Sequence, residues 1–292
     1  CICVYQSSAR GTVKDKTNFN VDEDVSALRK AMEGLGTTEK TLIDVLTQRS
    51  NPQRQLIAKA YEKATGRTLI DDLKGDTRGD FEDLLVALVM PPALYDCHEV
   101  IKAMKGAGTT ESTLTEIFAS RSNKQIRELS EAYLAIQQYC THTSSESMQA
   151  LYEAGEKKWG TDEGKFIDIL CHRSVPQLRQ TLIEYKNISK KTLQESIKSE
   201  MSGNLEKLLV AVVKCVQNVP AYLAERLFKS MKGAGTTEST LTRIFVSRSE
   251  IDLIDIKVEY KKLFGCSLYS QLESEVSGDY GKTLKCLCGQ EE

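Results

Sequence analysis

The stretch GAGTTESTLTRIFVSRS, Gly233–Ser249, decides how this chain is read, because it is the last of four versions of one segment. The others are GLGTTEKTLIDVLTQRS at Gly34–Ser50, GAGTTESTLTEIFASRS at Gly106–Ser122 and KWGTDEGKFIDILCHRS at Lys158–Ser174. In each, the glycine before a threonine (Gly36, Gly108, Gly160, Gly235) stands 13 positions before an arginine (Arg49, Arg121, Arg173, Arg248). A second element returns three times: LKGDTRGDFEDLLVALV from Leu73, IKSEMSGNLEKLLVAVV from Ile197 and LESEVSGDYGKTLKCLC from Leu272. Its glycines, Gly79, Gly203 and Gly278, each lie 43 positions after the first glycine. Recurrence at fixed long spacing marks a repeat architecture, in which each copy is one supersecondary unit that stacks on its neighbours.

Within a copy the periodicity is helical. Leu42, Val45 and Leu46 form an i, i+3, i+4 stripe, as do Leu241, Ile244 and Phe245. Asn51-Pro52 starts a third helix running to about Lys63, and Gly66 stops it. Thr68–Leu73 reads as a short fourth helix, and a fifth runs from about Asp80 to Met90-Pro91-Pro92. Five helices in about 70 residues, with almost no period-two alternation, predict an all-α array of five-helix repeats. The expected organisation is a short arm over 1–20 and copies over 21–92, 93–146, 147–220 and 221–292. Successive key glycines are 72, 52 and 75 positions apart, so the second copy is short. Where its fourth and fifth helices belong, the chain reads AIQQYCTHTSSESMQALYEAG. Losing them is expected to uncover Leu114, Ile117 and Phe118 on the second helix, or whichever of that stripe they covered.

Composition narrows the function classes. The 292 residues carry 39 Lys and Arg against 41 Asp and Glu, a formal charge of -2, which argues against nucleic acid as a partner. No apolar run approaches the roughly 20 residues that cross a bilayer, and nothing present reads as a signal peptide. Nine cysteines, with Cys97, Cys171 and Cys215 in apolar runs, fit buried thiols in a reducing cytoplasm. Three dispersed histidines and the absence of G-x-S-x-G, P-loop and H-E-x-x-H patterns point away from an enzyme.

The repeated loop carries the chemistry. Its glycines can take positive φ and turn carbonyls outward. Forty positions beyond the second glycine stands an acid: Asp76, Glu200 and Glu275. Carbonyls from one loop and a carboxylate from another suit a calcium ion, which takes six to eight oxygens and leaves some positions to water or an exogenous ligand. The alternative is that Thr37 or Thr38 caps the next helix, with Glu39 in its first turn. Leu35 and Trp159 sit on loop crests, where an apolar side chain suits a membrane interface. Trp159 folded back onto its own helix pair is the competing reading.

The loop motif, [KR]-G-x-G-T followed after 38 residues by an acid, resembles that of the annexin family, from Asn20 to Gly289 apart from the missing segment. The resemblance implies four five-helix repeats in a curved disc with calcium loops on its convex face. It also implies cytoplasmic, reversible binding to anionic phospholipid, with recruitment to the inner face of membranes as calcium rises. Implied calcium ligands are the carbonyls of Met32, Gly34 and Gly36 with Asp76, and of Met231, Gly233 and Gly235 with Glu275. In the third copy they are Gly155, Lys158 and Gly160 with Glu200. The second copy keeps Met104, Gly106 and Gly108, but Met148 stands where its acid belongs. Secondary calcium sites resemble Thr37 with Glu39, Thr109 with Glu111, Thr161 with Glu163 and Thr236 with Glu238. Asp96, Glu116, Arg121 and Arg243 fall on charged positions of the family's polar channel, where buried ion pairs that only fix orientation are the simpler reading. Inhibition of phospholipase A2 by covering its substrate is a family-level expectation, as are protein partners through the N-terminal arm. A protein-binding helical scaffold without calcium dependence is the contrasting class.

Overall fold

The computed structural model describes residues 10–33, 36–105, 109–139, 170, 175–233 and 235–290. These form sixteen helices and no strand, so the described chain is all-α. In the first copy they are α1 (Val21–Met32), α2 (Glu39–Thr47), α3 (Asn51–Thr65), α4 (Leu69–Asp76) and α5 (Gly79–Val89). The second copy gives α6 (Pro92–Met104), α7 (Glu111–Ser120) and α8 (Asn123–Tyr139). Then come α9 (Val175–Ser189), α10 (Leu193–Glu200) and α11 (Gly203–Gln217). The fourth copy gives α12 (Val219–Met231), α13 (Glu238–Arg248), α14 (Leu253–Phe264), α15 (Leu268–Glu275) and α16 (Gly278–Cys288).

Local chemistry sets these boundaries. Asn20 accepts from the backbone of Asp22 and Glu23 to open α1, and Gly66 and Gly265, at φ 74° and 76°, close α3 and α14 in the left-handed region. Thr68 caps α4 rather than forming its first residue, and α4 continues to Asp76, three residues beyond the expected end. The extra turn places the acid at a helix C-terminus.

Two compact units divide the chain. One is Ala93–Val219, and the other joins Gln6–Pro92 with Pro220–Glu292. In the second of these, the second helix of each copy packs on the fifth helix of the other, α2 on α16 and α13 on α5. Each second helix also meets the fifth helix of its own copy, α2 on α5 and α13 on α16. Leu42, Leu46, Leu241 and Phe245 are fully buried as a result. The arm runs along the fourth copy, with Arg10 and Ile254 N–H groups donating to Ile251 and Arg10 carbonyls at 3.0 Å each. Gly11 has no room for a side chain, since a Cβ there would lie 2.4 Å from the Glu250 backbone. The Glu250 carboxylate accepts from the Asn51 N–H at 2.9 and 3.0 Å and from Arg54 at 3.3 Å, which ties the start of α3 to the fourth copy. Burial lowers the Arg54 pKa to about 10, with Glu250 opposing the shift.

In the Ala93–Val219 unit, α7 packs on α11, the fifth helix of the third copy. The sequence omits the second copy's own fifth helix. Phe118 is 45% exposed there, and Leu114 is half-buried. Of that stripe Ile117 stays fully buried, against Cys97, Val100 and Leu129, because its side of α7 faces neighbours that the second copy retains. Cys97 and Cys215 are buried free thiols, and Cys171 lies outside the described residues.

The repeated arginine forms a buried clamp wherever it is described. Arg49 binds both oxygens of Asp24, at 2.7 Å each, and Arg121 binds those of Asp96 at 2.7 and 2.8 Å. Both acids lie 25 positions earlier in the chain. In the fourth copy that position is Leu223, fully buried, and Arg248 instead binds Asp252, four residues later, at 2.7 and 2.5 Å. The carboxylate has moved from the copy's first helix to the turn before its third, and the buried pair survives. Glu116 and Arg243 are also buried.

Candidate functional site

Each described loop is closed by the same backbone bond. The N–H of Thr38 donates to Ala31 at 2.9 Å, that of Thr110 to Ala103 at 2.8 Å, and that of Thr237 to Ser230 at 2.7 Å. These threonines occupy the N-cap positions of α2, α7 and α13, yet none uses its hydroxyl as a cap. Capping therefore does not account for them. Gly36, Gly233 and Gly235 take φ of 100°, 136° and 119°, and open space surrounds the position of a Cβ at each. Backbone conformation, not crowding, is what requires glycine here.

The acids stand on a second repeated turn. Asp76, Glu200 and Glu275 are the last residues of α4, α10 and α15. The following residue is extended and its N–H returns to Leu73, Ile197 or Leu272. Gly79, Gly203 and Gly278, at φ 63°, 75° and 64°, then open the next helix. Asp76 and Glu275 are exposed, the latter accepting from Gln271 at 2.9 Å. The Thr37 hydroxyl donates to the Asp76 carbonyl at 3.1 Å, which joins the glycine loop to the acid's turn across 39 residues. Met32 and Asp76 line one polar cleft of about 570 Å³ with Arg29, Tyr61, Arg67 and Asp72. Arg67 pairs with Asp72 at 2.6 Å, and the Tyr61 hydroxyl donates to the same carboxylate at 2.7 Å.

The secondary positions differ from copy to copy. The Thr37 hydroxyl is taken up by the Asp76 carbonyl. Thr236 bonds the Glu238 carboxylate, and the Tyr280 hydroxyl donates to the Glu238 carbonyl at 2.9 Å. Glu111 accepts from Asn204 of α11 at 3.1 Å, while Thr109 is exposed beside it. Asn204 follows the repeated Gly203, a register that carries Asp80 and Asp279 in the other copies and offered a polar signal that sequence reading did not use. Arg29, Arg67 and the Thr37 bridge were likewise not anticipated. Gly34, Leu35, Gly106, Gly108, Met148, Gly155, Lys158, Trp159, Gly160, Thr161, Glu163 and the Glu200 side chain lie outside the described residues.

Among the described residues no three His, Cys, Asp or Glu side chains gather into a metal-holding cluster. A cation at these loops needs backbone oxygen, and the positive-φ glycines beside one exposed carboxylate offer that donor set to a hard ion.

The annexin family profile matches residues 23–88, 95–139, 147–212 and 222–287, the second match stopping about twenty residues short of the others. Annexin A3 of Mus musculus is 49% identical over 315 aligned residues, which cover 97% of this chain and 98% of that protein. The solved structure of annexin III superposes with a TM-score of 0.89 at 48% identity, covering 98% of this chain and 99% of the other. A structure of calcium-bound annexin (Sm)1 gives a TM-score of 0.83 at 31% identity, covering 97% and 93%. On these matches, as on the loops themselves, the chain belongs to the annexin family.

Proposed function

We propose that this chain is a calcium-triggered peripheral membrane adaptor and not an enzyme. The observation that carries the reading is the Gly36 loop joined to the turn of Asp76 by the Thr37 bridge; the fourth copy repeats the positive-φ glycines, Gly233 and Gly235, and the helix-ending acid, Glu275. Calcium would be held by the carbonyls of Met32, Gly34 and Gly36 with Asp76, by those of Met231, Gly233 and Gly235 with Glu275, and by Gly155, Lys158 and Gly160 with Glu200. The Thr–Glu pairs at Thr37/Glu39, Thr109/Glu111, Thr161/Glu163 and Thr236/Glu238 are weaker secondary sites. The second copy has no complete main site.

The ion supplies charge and open coordination. A chain of net charge -2 repels an anionic leaflet weakly, and each bound calcium adds two positive charges and accepts phosphate oxygens. Lys105 and Lys232 border the loops, and each contributes roughly 1 kcal/mol near such a surface. Leu35 and Trp159 enter the interface. Several sites on one chain act together, so the response to calcium is steep on a membrane and shallow in solution. The protein is cytoplasmic at rest and gathers on inner membrane faces as calcium rises. Coating the lipid denies phospholipase A2 its substrate without a dedicated inhibitory site.

The test is co-sedimentation with phosphatidylserine–phosphatidylcholine vesicles. Binding is expected with calcium and lost with chelator; equal binding in both, or in neither, refutes the reading in favour of a calcium-independent scaffold.

A further inference from the structure

The α14–α15 crossing of the fourth copy forms a pocket of about 90 Å³ that the calcium loops do not use. Its walls are Ile254, Val258, Leu268 and Tyr269, and its rim carries Lys257 and Lys261. Val258 is 55% exposed, an unusual place for a β-branched apolar side chain on an outer helix face. The repeat itself does not require this. The same positions in the first copy are Gln55, Lys59, Leu69 and Ile70, with Ala58 and Glu62 at the rim, so two of the apolar wall positions are polar there and neither rim lysine is present.

Among the described residues, charge accounting around the pocket leaves it cationic. The neighbouring acids are matched: Asp255 by Arg10 at 2.9 Å, Glu259 by Lys262 at 3.6 Å and Glu273 by Lys285 at 3.5 Å. Lys257 donates to the neutral carbonyls of Cys288 and Gln290, at 3.1 and 2.9 Å. Lys261 is exposed and its ammonium has no partner among the described residues. Two positive charges thus flank a cavity with room for one branched aliphatic or aromatic side chain. The pocket sits at the N-terminal end of α15, whereas Glu275 ends that helix, about 10 Å away at 1.5 Å per residue.

We propose that this pocket docks an acidic segment of a partner protein, one large apolar side chain entering between Val258 and Leu268 while carboxylates meet Lys257 and Lys261. The site does not depend on calcium and stays clear of the end of α15 that carries Glu275. On the membrane-adaptor reading, the chain holds lipid with one end of α15 and cargo with the other.

The test selects displayed random 12-residue peptides on the full chain in EDTA, counter-selecting on the Val258→Asp/Lys261→Glu double variant. Recovered peptides are then measured, fluorescein-labelled, by anisotropy. Expected sequences place at least two Asp or Glu around one Leu, Ile or Phe. Their affinity should fall at least tenfold with Lys261→Glu alone, which leaves the apolar wall unchanged, and should weaken with salt. Calcium-dependent vesicle binding of both variants should match wild type, which separates this proposal from the membrane reading. Recovery of no peptides, peptides without acids, or equal affinity for the variants overturns it. So does a concentration-dependent dimer that Val258→Asp dissolves, since the occupant would then be a second copy.

Discussion

Phe118 and Phe245 hold the same position in two copies of one helix, within almost identical sequence, and their surroundings differ completely. Phe245 is fully buried, as is Leu46 at the matching place in the first copy, whereas Phe118 is 45% exposed. In the first and fourth copies the second helix meets the fifth helix of its own copy; the second copy has none. Burial at this position is therefore delivered by an element some forty residues away, and local sequence alone does not guarantee it. Ile117, one residue away, keeps full burial because Cys97, Val100 and Leu129 are still present. The truncation thins one side of α7 and leaves the other side of its core in place.

The two phenylalanines give the sharpest test of that difference. Phe245→Ala should cost about 3–5 kcal/mol, the range for emptying a packed aromatic site. Phe118→Ala should cost less than half as much, because much of its ring already meets solvent. Urea unfolding with hydrogen exchange over Glu111–Ser120 and Glu238–Arg248 measures both, and equal losses would mean that α7 is covered as well as α13.

The arginine clamps differ between copies as well. Asp252→Ala strands a buried Arg248 and should cost about 3 kcal/mol or more. Adding Leu223→Asp restores the arrangement that Arg49 and Arg121 use, and should recover at least half of that loss in thermal unfolding. Failure to recover any would show that the fourth copy has repacked around Leu223 beyond what its register suggests.

A smaller effect is expected at Arg78. It is exposed two residues beyond Asp76, where the third and fourth copies carry Ser202 and Ser277. Arg78→Ser should weaken vesicle binding at fixed calcium about fivefold, the equivalent of roughly 1 kcal/mol for one cation near an anionic surface. Salt titration checks it, since the variant should show the shallower dependence.

Much of this was readable in the chain itself. Glycine spacing, the apolar stripes and the acid forty positions on specify the helices, the repeat and its defect, because backbone conformation and periodicity are local properties. The Arg248–Asp252 pair was not readable. Leu223 looks like any core leucine, and Asp252 looks like the cap of α14, so nothing local says that one replaces an acid and the other supplies it. The Thr37 bridge was hidden for a similar reason: a threonine before a helix reads as a cap, and only the folded chain brings the Asp76 carbonyl within 3.1 Å. Pairings between distant segments escape periodicity because they depend on which helices meet.

On the proposed function, the acids ending the short fourth helices trigger membrane binding. The direct test is a calcium series of vesicle co-sedimentation with the Asp76→Asn/Glu200→Gln/Glu275→Gln variant beside wild type. The variant should keep its helical content and show no binding at calcium concentrations that saturate wild type. An unchanged calcium midpoint would contradict it.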